Sequence, residues 1–153
     1  MAADRVSELI PFVQVADVDR SIAFYALLGF EVTDTYVHDG KLDFAALESG
    51  SARTMLVRAA GPIDPQQQRV RFYLYVEDLD ALRSHLSENG VGASPIVDGT
   101  PGPEREMTVR DPDGLLLNDR RDQLAPRRRD RPATAAAARA RRPTRTRRPG
   151  HRT

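Results

Sequence analysis

Apolar and polar residues follow the same pattern in two separate stretches of the chain. Residues 10–30 read IPFVQVADVDRSIAFYALLGF, and residues 71–91 read RFYLYVEDLDALRSHLSENGV. Each stretch begins with an alternating run typical of a strand, continues with Asp-x-Asp and an apolar stripe at helical spacing, and ends at a glycine. Asp17 aligns with Asp78 and Gly29 with Gly90 without a gap, a shift of 61 positions. The repeat predicts two duplicated units that bury their apolar faces together.

Shorter strand and turn patterns complete each unit as βαβββ. The first unit is predicted to have a helix over residues 17–28 and strands over residues 10–15, 30–37, 41–47 and 53–58. The second is predicted to have a helix over residues 78–88 and strands over residues 70–76, 91–97 and 104–110, with a last strand from Leu115. The last strand is expected to break off after Leu117, because a polar run follows. The sequence therefore predicts an α+β fold of two βαβββ modules.

Composition divides the chain into a folded domain and a tail. Residues 1–118 contain 10 Lys and Arg against 19 Asp and Glu, a charge of −9, whereas residues 119–153 contain 13 against 3, a charge of +10. We predict a domain over residues 1–122, with module one at 8–59, a Pro- and Gln-rich linker at 60–68 and module two at 69–118. The turn-rich loop at residues 98–103 is expected to rim a cavity. The Arg/Ala/Pro-rich tail at residues 123–153 is predicted to be disordered.

The composition also restricts the classes of function. The chain has 40% hydrophobic residues and no apolar run of membrane-spanning length, so we expect a soluble, cytoplasmic protein without membrane contact. Zero cysteines exclude disulfides, thiolate metal sites and cysteine nucleophiles. Clustered arginines in the tail suggest a nucleic-acid role as one alternative, but no aromatic residue is interleaved with them. A shifted reading frame beyond Gly114 is another explanation of the tail.

A set of short motifs resembles one known family. These motifs are Val15-Ala16-Asp17, Ser21-Ile22-Ala23-Phe24-Tyr25, Leu28-Gly29-Phe30 and Asp111-Pro112-Asp113-Gly114-Leu115. Together with the repeat, they resemble the glyoxalase / bleomycin-resistance / extradiol dioxygenase superfamily, also called vicinal oxygen chelate, over about residues 8–118. The resemblance implies paired modules that curl into a half-open barrel, with a ligand cavity on the concave face that a second subunit commonly completes.

The resemblance also implies positions for a divalent metal, and these positions lack good ligands. The first family ligand falls on Ile10 and its equivalent in module two on Arg71. The carboxylate after the closing turn falls on Asn118, and a fourth position falls near Leu56. Aliphatic side chains have no donor atoms, arginine is a permanent cation and asparagine is a weak ligand. We therefore expect no metal and no cofactor.

The alternation of each first strand predicts which side chains face the cavity. Val13 and Val15, with Phe72, Leu74 and Val76, are assigned to the face that packs on the helices. The opposite face carries the predicted ligand-binding residues Phe12, Gln14, Arg71, Tyr73 and Tyr75, next to Ile10. Aromatic rings stack on planar or cationic ligands, and a guanidinium pairs with carboxylate or phosphate. As an alternative, the two tyrosines belong to a core or an interface, and Arg71 to a structural ion pair.

The function predicted from these residues is binding without turnover. Bleomycin-resistance members of the family lack the metal ligands and sequester a basic drug in the cavities of a dimer, and the acidic body would attract such a cation. The expected partners are a small molecule, such as a basic antibiotic, and a second copy of the chain. The alternative is an enzyme of the same fold, which would use Glu48, Arg71 or Tyr73 for acid/base chemistry or hold a metal with non-standard ligands.

Overall fold

The structure is a computed structural model that describes residues 6–98 and 105–121, the last three by their backbone alone. Within these ranges the chain forms eight strands and two α-helices. In chain order they are β1 Phe12–Val15, α1 Val18–Leu27, β2 Glu31–His38, β3 Lys41–Ser49, β4 Ala52–Arg58, β5 Arg71–Val76, α2 Leu79–Glu88, β6 Val97–Asp98, β7 Arg105–Arg110 and β8 Leu116–Arg121. Each α-helix has ten residues, far short of the roughly 20 needed to cross a bilayer.

The strands form two four-stranded sheets of the same topology. The orders are β1-β4-β3-β2 and β5-β8-β7-β6. In each sheet the first strand lies parallel to the last strand of its module, and the other neighbours are antiparallel. The predicted α+β fold of two βαβββ modules is therefore confirmed.

Both helices are capped by the same residues of the repeat. Oδ1 of Asp17 accepts the backbone N–H of Arg20, and Oδ1 of Asp78 accepts that of Ala81, each at 2.9 Å. These bonds satisfy donors that a helix N-terminus leaves unpaired. Each C-terminus ends at a glycine with positive φ, 82° at Gly29 and 76° at Gly90. The residue after each glycine donates its N–H back to the last helical turn at 2.9–3.1 Å. The two modules thus share capping geometry as well as sequence.

One face of each sheet packs on a helix and forms the core. β1 and β5 alternate in burial along their length. Of the five side chains assigned to the helix-packed face, Val15 is fully buried in the core, and the other four are partly buried and pack against it. The fully buried members come from both modules and include Tyr25, Leu47, Leu56, Leu86, Met107 and Leu117. The predicted division of the first strands into two faces is confirmed.

Two strand predictions for module two were wrong. β8 does not break off after Leu117: it continues to Arg121 and pairs with β5 along the whole of that strand. β8 lies between β5 and β7, which form hydrogen bonds with its backbone on both sides. Because these bonds involve only backbone groups, the polar side chains after Leu117 do not end the strand. Conversely, the strand predicted over residues 91–97 is reduced to β6 and an isolated bridge between Ala93 and Val109, as Gly92 and Pro95 disfavour a ladder.

The closing turn of module two joins the modules. Asp111 accepts the backbone N–H of Asp113 and Leu115, which shapes the turn, and also accepts the hydroxyl of Tyr25 from α1 at 3.1 Å. Asp113 accepts the N–H of Ala16 at 3.1 Å and a guanidinium N–H of Arg20 at 2.9 Å. Burial, followed by the charge of Asp111, raises the pKa of Tyr25, which therefore stays protonated. Asp111 thus shapes the turn, and both aspartates bind module one, Asp111 through Tyr25 and Asp113 through Ala16 and Arg20.

Two predicted segments lie outside the described residues. The predicted rim loop at residues 98–103 is described only at Asp98, and the predicted disordered tail at residues 123–153 is not described.

Candidate functional site

The face of each first strand opposite the helices is exposed and carries the predicted binding residues. We call this side of each module its open face. Phe12 is 61% exposed, Tyr73 48% and Tyr75 60%, and the side chains of Gln14 and Arg71 are also exposed. Burial of an aromatic ring normally stabilises a folded protein, so large rings are rarely left exposed without a reason. Exposed aromatic side chains that share one strand face therefore mark a binding surface.

The open face of module one is mainly apolar. On β4, Met55 lies between Phe12 of β1 and Ala46 of β3. Two positions along, Val57 lies between Gln14 and Phe44. The rings of Phe12 and Phe44 stack, with centroids 6.3 Å apart and planes inclined by 29°. These two rows form an aromatic and aliphatic surface with one amide group.

The open face of module two is more polar. Tyr73 lies beside Asn118, which lies beside Thr108 on the next strand. Asn118 is buried, and its Oδ1 atom has no hydrogen-bond partner among the described residues. An unpaired buried carbonyl is costly, and Asn118 lines none of the cavities of the described chain, so this oxygen lowers stability rather than contacting a ligand.

The five predicted residues do not line one cavity. Phe12 and Gln14 line a cavity of about 580 Å³, a volume typical of small-molecule sites. Arg71 and Tyr73 line a second cavity of about 350 Å³. Tyr75 lines neither of these cavities and stands exposed on its strand. The described chain therefore places the five residues on the open faces of two different sheets, and no one of these cavities unites them.

Sequence reasoning missed much of the wall of the larger cavity. Ile63 lies in the segment treated as a plain linker, Val70 precedes β5, and Leu115 follows the closing turn. An isolated Ile among prolines and glutamines was the available signal for Ile63, since an apolar residue in a linker usually has something to cover. Leu9, Pro11, Val13 and Phe72 complete the apolar part of the lining.

The positions that the family uses for a metal do not form a metal site in this chain. Arg71 is exposed and cationic, Ile10 has no donor atom, and Asn118 offers one amide oxygen. The fourth position falls near Leu56, which belongs to the buried core, whereas its neighbours Met55 and Val57 face the open side; none of the three is a good ligand for a divalent metal. Among residues 6–98 and 105–118, no three His, Asp or Glu side chains lie close enough to hold an ion. This donor set does not fit a divalent metal.

Glu48, named for acid/base chemistry in the alternative interpretation, is held in an ion-pair network. It lies in β3 rather than in the turn, and Arg53 donates to it at 2.7 Å. Arg53 also contacts Glu8 at 3.0 Å. Hydrogen bonds from the guanidinium to these carboxylates, Glu8 first, raise the pKa of Arg53. Glu48 is thus engaged with a permanent cation.

A family model and solved structures show which proteins share this arrangement. The model described as Glyoxalase/Bleomycin resistance protein/Dioxygenase superfamily matches residues 5–118, about three quarters of the chain. The chain belongs to this superfamily. No curated protein matches it by sequence.

Solved structures of superfamily members share the fold at low identity. A bleomycin-binding protein complexed with bleomycin is 19% identical with a TM-score of 0.63, over 77% of this chain and 100% of that one. A bleomycin resistance determinant encoded on transposon Tn5 is 20% identical with a TM-score of 0.63, over 78% and 100%. The bleomycin-binding protein of Streptomyces verticillus complexed with copper(II)-bleomycin is 23% identical with a TM-score of 0.57, over 76% and 97%. These likenesses establish the superfamily fold.

Proposed function

We propose that this protein binds a small aromatic or cationic organic molecule on its open faces and sequesters it without chemical turnover. The observation that carries the proposal is the exposure of Phe12, Tyr73 and Tyr75, each about half or more accessible, on strand faces opposite the core. The proposed ligand-binding residues are these three with Gln14 and Arg71. Stacking on such rings is tolerant of ligand identity and favours planar or cationic groups.

Charge and structural likeness support a basic ligand. Residues 1–118 carry a formal charge of −9, which attracts cations over long range. Two of the structurally similar proteins bind bleomycin, one of them as its copper complex. The absence of a fitting donor set at the family's metal positions further favours binding over metal-dependent chemistry.

A second copy of the chain is part of the proposal. All eight residues of the edge strand β2 are exposed, including Val32, Tyr36 and Val37. A long exposed edge strand is a site of association unless something covers it. We propose a homodimer that closes the open faces, which sedimentation equilibrium would test. We further propose that it acts in the cytoplasm, which cell fractionation would test.

A thermal-shift screen tests the binding function. The panel comprises bleomycin-type glycopeptides, other basic antibiotics and small dicarbonyl conjugates, because a ligand that binds the native state raises the Tm. We expect a basic aromatic compound to raise the Tm of the wild type, and Tyr75→Ala to reduce the shift. Val97→Ala, which trims a strand residue that is 55% exposed and lies outside both the five binding positions and β2, serves as the control and should leave the shift unchanged. A panel in which no compound raises the Tm would contradict the proposal.

A further inference from the structure

The arginines of the folded domain divide into two groups by pairing. The structure describes eight arginine side chains, at residues 20, 53, 58, 69, 71, 83, 105 and 110. Arg20, Arg53, Arg58 and Arg105 form ion pairs with carboxylates. Among the described residues the other four form none. Three of these four, Arg69, Arg71 and Arg110, line one pocket.

Strand register explains how the three arginines converge. Arg71 on β5 lies beside Leu116 on β8, and Leu116 lies beside Arg110 on β7. The two arginines therefore share one face of the sheet across three adjacent strands, about 10 Å apart at the backbone. Arg69 precedes Arg71 by two residues and lines the same pocket. Long guanidinium side chains can reach a common point across this distance.

The pocket has the chemistry of an anion site. Its volume is about 550 Å³, and it is lined by the three arginines, Gln66, Gln68 and parts of Pro65, Val70, Gly114 and Leu116. No carboxylate of the described chain lines it. The backbone carbonyl of Gly114 accepts a hydrogen bond from Arg110 at 3.2 Å, which orients one guanidinium and leaves its other donors available. Like charges repel, so a counter-anion stabilises such a cluster.

We propose that this arginine pocket binds a multiply charged oxyanion group, a phosphate or a dicarboxylate, carried by a small organic molecule. Guanidinium groups bind both with paired, charge-assisted hydrogen bonds. The volume exceeds what a bare ion requires and lies in the usual range for organic ligands. The carboxylates that give the domain its negative charge do not line this pocket, so the three arginines set the local charge that an anion meets there.

The oxyanion site does not depend on the proposed sequestering function. The two share only Arg71, whereas Arg69 and Arg110 are outside the five residues proposed to bind the aromatic or cationic ligand. The pocket also shares Gln68 and Val70 with the larger apolar cavity. The anion test therefore uses Arg69→Gln and Arg110→Gln. If the protein binds no anion, the proposed binding of basic ligands still stands, and if it binds no basic ligand, the proposed anion site still stands.

Calorimetric titration of the full chain with pyrophosphate and with citrate, at constant ionic strength set by NaCl, tests the site. We expect saturable binding of at least one, and the stronger of the two identifies phosphate or carboxylate as the preferred group. Arg69→Gln and Arg110→Gln should each weaken binding by roughly tenfold or more, as expected for a lost charge-assisted hydrogen bond. Arg83→Gln removes the fourth arginine without a carboxylate partner among the described residues. This arginine lies outside the pocket and donates to the carbonyl of Ser94, so the affinity should stay within about twofold.

Amide NMR shifts locate the binding independently of any variant. We expect pyrophosphate or citrate to perturb the N–H signals of Gln68, Arg69 and Gly114 beyond those of α2. The proposal is overturned if neither anion binds more tightly than chloride, if the Arg69→Gln Arg110→Gln double variant binds as well as the wild type, or if Arg83→Gln weakens binding equally.

Discussion

The hydroxyl of Tyr25 donates a hydrogen bond of 3.1 Å to Oδ2 of Asp111, 86 positions along the chain. The bond joins the helix of module one to the closing turn of module two, and both residues are buried. Tyr25 also packs edge-on against Phe24 and Phe30, so its ring is fixed in the core while its hydroxyl crosses between the modules. Tyr25 therefore links the two modules within the core.

Removing this hydroxyl should destabilise the domain. Tyr25→Phe keeps the ring but leaves the buried carboxylate of Asp111 without its side-chain donor, at a cost of about 1–3 kcal/mol in the free energy of unfolding. Urea denaturation measures the change. Tyr36→Phe, which removes the hydroxyl of a tyrosine that is 58% exposed, is the matched control and should change stability by less than about 0.5 kcal/mol. Equal effects in the two variants would refute a structural role for the bond.

Asp111 should also impose a specific pH dependence. Burial raises the pKa of its carboxyl above the ordinary 3.8, against the opposing effect of hydrogen bonds from Leu115, Asp113 and Tyr25. A carboxyl with a raised folded-state pKa stabilises the fold below its unfolded pKa and loses that contribution as pH rises through the folded pKa.

Comparison with Asp111→Asn isolates this contribution from that of other carboxylates. As pH rises from about 3 toward neutrality, we expect the stability of the wild type to fall relative to that of the variant. Chemical denaturation at several pH values provides the comparison. If the wild type instead becomes more stable relative to the variant as pH rises over this range, the folded-state pKa of Asp111 is lowered, which would contradict the prediction.

Gly114 is required for the contact between the closing turn and the linker. Its φ is +84°, and a Cβ placed there would lie 2.6–2.8 Å from atoms of Pro65. Gly114→Ala should therefore cost about 2–4 kcal/mol, the sum of left-handed strain and overpacking. Gly92→Ala is the control, because Gly92 has open space around it and no positive φ, and should be neutral within about 0.5 kcal/mol. Thermal or urea unfolding of both variants decides the point.

Adjacent residues of β8 should respond in opposite ways to polarity changes. Asn118 has an unpaired buried oxygen, so Asn118→Leu should leave stability unchanged or raise it by about 1 kcal/mol. Leu117 is fully buried on the helix side, so Leu117→Asn should cost about 3 kcal/mol or more. If both variants lose similar stability, β8 does not alternate between two faces as the structure has it.

Features that depend on neighbouring residues in the chain could be predicted from the sequence. The caps at Asp17 and Asp78 and the glycines that end both helices are local signals, and the alternation along β5 assigns its two faces directly. The continuation of β8 could not be predicted, since β5 and β7 supply its hydrogen bonds.

The arrangement of the pockets depends on strand neighbours that the repeat does not specify. Arg71 and Arg110 lie 39 positions apart and meet only because β8 lies between β5 and β7. Similarly, Ile63 joins Phe12 only because the linker folds back on the first strand. Alternation identifies the face that a side chain occupies, but not the residues across the sheet.

The measurement that tests the central claim most directly is calorimetric titration of EDTA-dialysed protein with the compound of the panel that raises its Tm most, repeated with protein that was incubated with zinc, nickel or manganese and then freed of unbound metal. We predict saturable binding of the same affinity with and without metal, recovery of the ligand unchanged by mass spectrometry, and weaker binding by Phe12→Ala and Tyr75→Ala. Stoichiometric metal in the purified protein, or binding or turnover that requires an added cation, would contradict the account.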